Sequence, residues 1–426
     1  MKYNFFVKTF GCQMNVSDSE RIMSILVSNP NFKLCNDIDS ADVVIVNTCS
    51  VRKHAEERAE SFLGELKRIK NRNKNLKVVV VGCYAQKSKE DIKKKFPFVD
   101  AFIGTLEYEY LSDILSSVLK STFSFNDLFV PTTLSGFVPI MTGCNNFCSY
   151  CIVPYVRGRE KSRLVNDIIS DIENLLNNNV KEITLLGQNV NSYYDSDKNI
   201  TFADLLENIM YMFSDRKFWL RFMTNHPKDM NRKIISVMKK YSQICKHIHL
   251  PLQAGSNRIL KLMNRNYTSE HYLSIIENIR AEIPEISIST DLMVGFPTET
   301  EEDFLATYEL VKKVKYDFAF VFKYSPREGT KAFAIPDDVP KEVKEERHFR
   351  LLSLCENIAK EINKKYLNAE MDVLVNQNSS MPGYCGKTYN NRTVLIRGKD
   401  IKLYYDFVKV KITDIKNHNL VGEIIS

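Results

Sequence analysis

The chain has 426 residues, enough for two or three domains, and it is 44% hydrophobic and 26% charged, as is typical of globular proteins. Its 59 basic and 52 acidic residues leave a net charge of +7, which is compatible with a polyanionic partner without indicating one. No apolar run is long enough to span a membrane, and the first residues do not resemble a signal peptide. The ten cysteines form no secreted disulfide pattern, so we expect free thiols in a reducing cytoplasm.

The first 125 residues predict a parallel sheet with helices on both faces. Short apolar runs rich in Val, Ile or Phe indicate buried strands, and helical patterns separate them. The predicted strands cover residues 4–10, 42–47 and 77–81, and the predicted helices cover residues 17–28 and 53–71.

One cysteine follows each of these three strands: Cys12, Cys49 and Cys83. The carboxyl ends of parallel strands meet at one edge of an open sheet, where ligands bind, so we expect the three thiols to lie together. Gly11 and Gly82 precede two of them and would allow a bulky inorganic group to approach the backbone. Either these thiols form a three-ligand metal site, or they are small buried side chains at strand ends. The remaining cysteines, Cys35, Cys245, Cys355 and Cys385, have no partner at ligand spacing and are interpreted as structural.

Residues 135–340 predict an incomplete (β/α)6 barrel, because six strands alternate regularly with helices. The predicted strands cover residues 137–142, 182–186, 219–223, 247–250, 287–292 and 318–322. The predicted helices between them cover residues 165–177, 202–212, 230–241, 269–281 and 301–314. The chain then continues as a connecting helix over residues 341–365 and a small antiparallel β-barrel over residues 366–426, with strands at 372–376, 393–396, 403–405 and 408–413 and turns at 381–383 and 397–399.

Cys144, Cys148 and Cys151 follow the first barrel strand at C-x3-C-x2-C spacing. A closed zinc site normally needs four protein ligands, and no further Cys or His follows within forty residues. Three thiolates instead fit a [4Fe-4S] cluster with one open iron, the arrangement of radical S-adenosylmethionine (SAM) enzymes. The alternative is three buried structural cysteines. Tyr150, beside the third cysteine, is expected to pack against a bound molecule.

Polar residues at the other strand ends are candidate SAM contacts. They are Gly187, Gln188, Asn189, Asn225, His226, Gln253, Asp291, Lys323 and Tyr324. SAM needs partners for its amino, carboxylate and ribose groups, although each of these residues is also compatible with an ordinary loop or a helix cap. Thr298, for example, is predicted to begin a capping box.

Basic residues follow the cysteine loop and are expected to contact phosphates or to form a solvated face. They are Arg157, Arg159, Lys161 and Arg163. Lys387, Tyr389 and Arg392 would give the C-terminal barrel an RNA-binding surface, although a purely structural barrel is an alternative.

Several stretches resemble the radical-SAM methylthiotransferase family across essentially the whole chain. They are GCQMNVSDSE from Gly11, NTCSVR from Asn47, GCNNFCSYCIVPYVRGRE from Gly143, LLGQNVNSY from Leu185, LPLQAGSNRILKLMNR from Leu250 and GKTYNNR from Gly386. GCQMN and NTCSVR are similar to the tRNA-2-methylthio-N6-dimethylallyladenosine synthase branch. The ribosomal-protein branch instead has Pro-Lys-Asn after the first cysteine and Gly in place of Ser50. One departure is Thr298, where the family usually has glycine.

The resemblance implies two [4Fe-4S] clusters, one held by Cys144, Cys148 and Cys151 and an auxiliary one held by Cys12, Cys49 and Cys83. It implies SAM binding near Tyr150, Gly187, Gln188 and Asp291, with two SAM molecules used per turnover. It also implies a C-terminal TRAM domain that binds the tRNA anticodon stem-loop. The reaction would be methylthiolation of carbon 2 of N6-isopentenyladenosine 37 in tRNAs that read codons starting with U. The resemblance further implies a cytoplasmic monomer that receives electrons from a donor such as flavodoxin or ferredoxin and takes sulfur from an outside source.

Two other functions remain as alternatives at this point. One is methylthiolation of a ribosomal-protein aspartate, which uses the same chemistry on another substrate. The other is a non-catalytic iron–sulfur protein that binds RNA through its C-terminal barrel. The strand-end polar groups favour an enzyme, since RNA binding alone does not need them.

Overall fold

The computed structural model describes residues 2–51, 53–123, 134–376, 384–397 and 406–425. Its N-terminal part is a five-stranded parallel sheet in the order β2-β1-β3-β4-β5. The two central strands are runs of Val and Ile that are buried on both faces, as parallel strands covered by helices require. The strands are β1 (Tyr3–Thr9), β2 (Phe32–Leu34), β3 (Val43–Thr48), β4 (Lys77–Gly82) and β5 (Ala101–Ile103).

Helices cover both faces of this sheet, as the sequence predicts. The helices are α1 (Gln13–Val27), α2 (Lys53–Arg72), α3 (Cys83–Lys95) and α4 (Leu111–Leu119). Apolar residues of α1 and α4 pack on one face with Val43 and Ile45, whereas α2 and α3 pack on the other face with Val44 and Val46. Alternate residues of β3 therefore enter separate cores, which fixes the register of this strand.

The middle of the chain forms a curved array of six main parallel strands. A sheet in the order β6-β9-β12 continues into a sheet in the order β13-β14-β15 through a bridge between Leu220 and Ile244. The strands are β6 (Ser135–Pro139), β7 (Met141–Thr142), β8 (Lys161–Ser162), β9 (Glu182–Leu186), β10 (Tyr194–Asp195), β11 (Ile200–Thr201), β12 (Trp219–Phe222), β13 (His247–His249), β14 (Ser287–Val294) and β15 (Phe318–Lys323). The predicted partial barrel is confirmed.

Amphipathic helices surround these strands and bury the largest core of the molecule. The helices are α5 (Val153–Arg157), α6 (Val165–Asn177), α7 (Phe202–Met212), α8 (Arg232–Lys240), α9 (Asn257–Leu262), α10 (Ser269–Glu282) and α11 (Glu301–Val314). The capping box of α11 begins at Thr300 and not at Thr298, so that prediction is wrong. Thr298 instead has φ of +68°, in the left-handed region that favours glycine, and Arg258 donates a hydrogen bond to its hydroxyl at 3.0 Å.

The C-terminal part is a closed five-stranded barrel joined through α12 (Lys341–Lys364). Its strands are β16 (Glu370–Asn376), β17 (Tyr384–Thr388), β18 (Thr393–Arg397), β19 (Phe407–Lys416) and β20 (Asn419–Ile424). The strand pairs are antiparallel except β18 with β20, which run parallel, so the predicted antiparallel barrel is correct for all but one pair. The predicted strand at 403–405 and turn at 381–383 lie outside the described residues, as does most of the turn at 397–399.

The two outer domains contact opposite ends of the barrel strands. The C-terminal barrel contacts their amino ends, where Trp219 packs against Phe407 at a ring distance of 4.7 Å. The N-terminal domain contacts the carboxyl ends, where Arg327 donates a hydrogen bond to the carbonyl of Ser50 at 2.8 Å. This second contact places the cysteine-bearing edge of the N-terminal sheet at the end of the barrel where such folds carry their reactive groups. None of the described helices is both long and apolar enough to cross a membrane.

Candidate active site

The sheet trio, Cys12, Cys49 and Cys83, lies at the carboxyl ends of three neighbouring strands. Cys12 caps the amino end of α1, Cys49 directly follows β3, and Cys83 is the first residue of α3. The Cys12 thiol donates a hydrogen bond to the side-chain oxygen of Asn15 at 3.3 Å, and charge interactions link the three thiols. The neighbouring Cys49 thiol lowers the pKa of Cys12, whereas burial raises the pKa of Cys83.

Two buried amides hold the loops of the sheet trio in place. Asn15 donates to the side chain of Asn47 at 2.9 Å and to the carbonyl of Thr48 at 3.0 Å, and Asn47 donates back to the Asn15 carbonyl at 2.8 Å. Gly11 has φ of +141°, and a Cβ there would lie 2.6 Å from the Cβ of Cys49. The first two cysteines therefore approach each other only because glycine precedes Cys12.

The loop trio, Cys144, Cys148 and Cys151, lies on a loop between β7 and α5 that closes on itself. The Cys144 amide donates to the Gly158 carbonyl at 3.1 Å, and the Cys151 amide donates to the Cys148 carbonyl at 3.0 Å. The side-chain amide of Asn264 donates to the carbonyls of Asn146 and Phe147 at 3.0 and 2.9 Å. Burial and the neighbouring sulfurs raise the pKa of Cys151 to about 12. The closed backbone keeps all three cysteines on one short loop.

The two trios lie on facing elements of different domains. Cys83 packs in one apolar cluster with Ile152 and Val156, and Ile152 directly follows Cys151 in the sequence. Across the same contact, Thr105 donates a hydrogen bond to the Val156 carbonyl. These contacts bring both trios to one domain interface, although Cys12 and Cys144 are 132 positions apart in the sequence.

Polar atoms without partners cluster at the carboxyl ends of the barrel strands. Among the described residues, five such positions have a buried side-chain oxygen or nitrogen that makes no hydrogen bond: Gln188, Asn189, Asn225, His226 and Tyr324. Leaving a buried polar atom unpaired costs about 1–3 kcal/mol, so each of them indicates a missing partner. A molecule with amino, carboxylate and hydroxyl groups, such as SAM, fits this arrangement.

Two of the candidate SAM contacts have defined surroundings. Burial lowers the pKa of His226 to about 2, so this ring is neutral and presents an unpaired Nε2. Asp291 lies 3.5 Å from Nε2 of His249, so its carboxylate already has a protein partner. Tyr150 is half-buried and packs against the barrel core, and Gly187 is required because a Cβ there would lie 2.6 Å from Met141.

The trios fit an iron–sulfur cluster by their donor chemistry. Within the part of the chain that the structure describes, no three His, Cys, Asp or Glu side chains lie close enough together to hold a single metal ion. Three thiols are nevertheless the donor set that such clusters use, and each trio leaves one iron of a four-iron cluster without a protein ligand.

Three family models match the chain in the order of its structural parts. The model described as "Uncharacterized protein family UPF0004" matches residues 4–104, the Radical SAM superfamily model matches residues 138–311, and the TRAM domain model matches residues 364–425. The sheet trio lies within the first match and the loop trio within the second.

Curated proteins named tRNA-2-methylthio-N(6)-dimethylallyladenosine synthase are similar over nearly the full length. The protein from Caldicellulosiruptor saccharolyticus is 42% identical and the one from Clostridium tetani is 43% identical, and each alignment covers 99% of this chain. These alignments cover 92% and 96% of the respective relatives. The chain belongs to the tRNA-2-methylthio-N6-dimethylallyladenosine synthase family. The resemblance seen in the sequence motifs is therefore confirmed.

Solved structures support the fold of this family member. The radical SAM methyltransferase TsrM from Kitasatospora setae aligns with a TM-score of 0.60 at 11% identity, covering 78% of this chain and 77% of that one. The cobalamin-dependent radical SAM enzyme OxsB aligns with a TM-score of 0.54 at 13% identity, covering 84% of this chain and 56% of that one. At these identities the likeness concerns the fold alone.

Two of the predicted RNA contacts need correction. Arg157 is 6% exposed and pairs with Asp18 at 2.8 Å, and Arg392 is 7% exposed and pairs with Asp317 and Asn363. A guanidinium held in this way inside a domain interface is not available to a phosphate. The other predicted contacts remain predictions: Arg159 is exposed over the ring of Phe147, Arg163 is half-exposed beside Asp171, and Lys387 is exposed on β17.

One residue near the site receives no role in the sequence analysis, although it ends the quoted stretch LPLQAGSNRILKLMNR. Arg265 is buried, donates to the Cys148 sulfur at 3.4 Å and to the Pro251 carbonyl at 3.0 Å, and contacts the Tyr267 hydroxyl. It follows helix α9 and not a strand, so the search of strand ends does not find it. Arg265 therefore places a permanent positive charge beside one sulfur of the loop trio.

Proposed function

We propose that this chain methylthiolates carbon 2 of N6-isopentenyladenosine at position 37 of tRNAs that read codons starting with U. The chain is a radical-SAM tRNA methylthiotransferase, as its family membership establishes. The observation that carries the proposal is the pair of facing cysteine trios, since sulfur insertion needs a site for radical generation and a second site for sulfur. The product would be 2-methylthio-N6-isopentenyladenosine.

The loop trio would hold the radical-SAM [4Fe-4S] cluster, and the sheet trio would hold a second one. When bound, the first cluster and SAM supply a carbon radical that removes hydrogen from an unactivated ring carbon, and the second presents the sulfur, with two SAM molecules used per turnover. The unpaired groups of Gln188, Asn189, Asn225 and His226 would hold the polar parts of SAM. Tyr150, Gly187 and Asp291 would complete this site.

The protein's own contribution is to place the reactants and to exclude water. The apolar contact of Cys83, Ile152 and Val156 seals the interface beside both trios, which protects a reactive carbon radical from solvent. The base of an unpaired anticodon-loop nucleotide can leave its stack and enter such a site. Arg159, Arg163 and Lys387 remain the candidate contacts to the tRNA backbone.

The partners follow from this chemistry. The TRAM barrel and the family indicate tRNA as the substrate. We propose that the anticodon stem-loop is the part bound, that a donor such as flavodoxin or ferredoxin supplies electrons, and that a separate sulfur source renews the transferred sulfur. We further propose that the enzyme acts in the cytoplasm as a monomer.

Single substitutions in the two trios separate the proposed roles. Cys148→Ala should abolish both SAM cleavage and product, because the loop trio loses a ligand. Cys49→Ala should retain SAM cleavage and yield no methylthio product. Cys35→Ala is the matched control and should retain both activities, since its thiol donates to the carbonyls of Phe5 and Asp37 and belongs to neither trio. The measurements are 5′-deoxyadenosine release and mass spectrometry of tRNA nucleosides.

Two outcomes would contradict the proposal. Methylthioadenosine formed by the Cys49→Ala variant would exclude the sheet trio as the sulfur site. Expression of the chain in a bacterium that lacks its own enzyme provides the substrate test. If its tRNA stayed unmodified while a ribosomal protein gained a methylthio group, an aspartate of that protein would be the substrate.

A further inference from the structure

Arg157 connects the barrel to the N-terminal domain through a buried ion pair. It is the last residue of α5, six positions after Cys151, and its guanidinium crosses to the N-terminal domain. There it donates to Asp18 at 2.8 Å, and its charge interacts with the thiol of Cys83. The Arg157 and Asp18 side chains are 7% and 13% exposed, so solvent screens this contact little.

The pair places one positive and one negative charge close enough to Cys83 for both to interact with its thiol electrostatically. Burial raises the pKa of Asp18 and the guanidinium opposes that shift, whereas an arginine remains protonated in proteins. Arg157 therefore supplies a permanent cation to the sheet trio, and Asp18 both orients it and partly offsets its charge. The loop trio has a corresponding buried cation in Arg265, which donates to Cys148.

We infer that Arg157 is a positioning residue that sets the reduction potential of the group held by the sheet trio. The inference rests on the proposed function, because it requires an iron–sulfur cluster at these three thiols. Reduction potentials of such clusters depend in part on the local charge, and Arg157 places a buried positive charge at this site. One-electron reduction adds a negative charge, so a neighbouring cation favours the reduced form and raises the potential.

The charges of the pair predict shifts of opposite sign. Arg157→Gln removes the cation and should lower the potential of the sheet-trio cluster. Asp18→Asn removes the offsetting anion and should raise it. Arg157→Lys retains the charge but not the forked geometry, so its potential should lie between those of the wild type and Arg157→Gln. General loosening of the interface cannot explain shifts in both directions.

The test is an EPR-monitored redox titration of the full chain with dithionite as reductant. Replacing Cys144, Cys148 and Cys151 with Ala leaves only the sheet trio, so one cluster is observed. Arg347→Gln is the matched control, because Arg347 is equally buried but pairs with Glu299 and Glu301, and its potential should not change.

The outcomes distinguish this inference from the proposed function. Opposite shifts for Arg157→Gln and Asp18→Asn, with none for Arg347→Gln, would support it. An unchanged potential, or shifts of the same sign, in chains that retain about four iron atoms would overturn the inference alone. Loss of all iron from the parent triple-Ala chain would overturn the inference together with the assignment of the sheet trio.

Discussion

Glu20 on α1 has a buried carboxylate oxygen that makes no hydrogen bond among the described residues. Burial raises the pKa of this carboxyl group from 4.5 to about 7. The folded chain binds a proton at Glu20 more tightly than the unfolded chain does, so protonated Glu20 makes its full contribution to stability below pH 4.5. That contribution is lost as the pH rises through about 7. Above that pH the buried carboxylate lowers the free energy of unfolding by about 1–3 kcal/mol.

Glu20→Gln should therefore raise the stability of the N-terminal domain at pH 8 and leave it nearly unchanged at pH 5. Glutamine is neutral at both values and removes the cost of a buried charge. Thermal unfolding of the wild type and the variant at the two pH values measures the difference. An equal effect at both values would show that shape, and not charge, governs this position.

At the scale of single elements, two glycines lie in surroundings that differ in how closely neighbouring atoms approach the backbone. Gly255 precedes α9 and lies against α11, where an added Cβ would be 2.6 Å from both the Ala306 carbonyl oxygen and the Thr307 Cα. Gly64 lies on the exposed side of α2 with nothing within 4 Å of such a Cβ. The same substitution should therefore have opposite effects at the two positions.

Gly255→Ala should destabilise the barrel by about 1–3 kcal/mol, because α11 must move. Gly64→Ala should stabilise the chain by about 0.5–1 kcal/mol, because alanine favours the helix and meets no neighbour. Denaturant unfolding of both variants measures the sign of each change in the free energy of unfolding. If Gly255→Ala left that free energy unchanged, α9 and α11 could move apart at little energetic cost.

The sequence predicts best those helices and strands whose apolar residues recur at a regular spacing. Helices α6, α7 and α11 begin and end as expected, because their apolar residues recur at helical spacing. The edge strands β2 and β5 have only three residues each, too few for any period, and were not predicted. Their pairing depends on β1 and β4, which are distant in sequence.

At the scale of the whole molecule, the sequence predicts where the thiols lie but not what surrounds them. Strand ends share an edge in any parallel sheet, so Cys12, Cys49 and Cys83 could be placed together. Arg157 and Asp18 are 139 residues apart, and no local pattern indicates that they pair. For this reason the sequence predicts Arg157 to contact phosphate or to lie on a solvated face, whereas the domain contact buries it.

The architecture places both trios at one domain interface. The N-terminal sheet and the barrel each present their carboxyl strand ends to the other, and the contacts of Arg327 with Ser50 and Arg157 with Asp18 hold them together. The TRAM barrel lies at the amino ends of the barrel strands and leaves this interface to the other two domains. A tRNA that contacts the TRAM barrel would have to reach along the barrel to place its anticodon loop at the thiols.

The most direct test of the account is the iron and sulfide content per chain after anaerobic reconstitution. Two [4Fe-4S] clusters predict about eight iron and eight sulfide for the wild type, and about four of each when either trio is replaced with alanine. A wild-type content of about four, unchanged when Cys12, Cys49 and Cys83 are replaced, would contradict the presence of a cluster at the sheet trio.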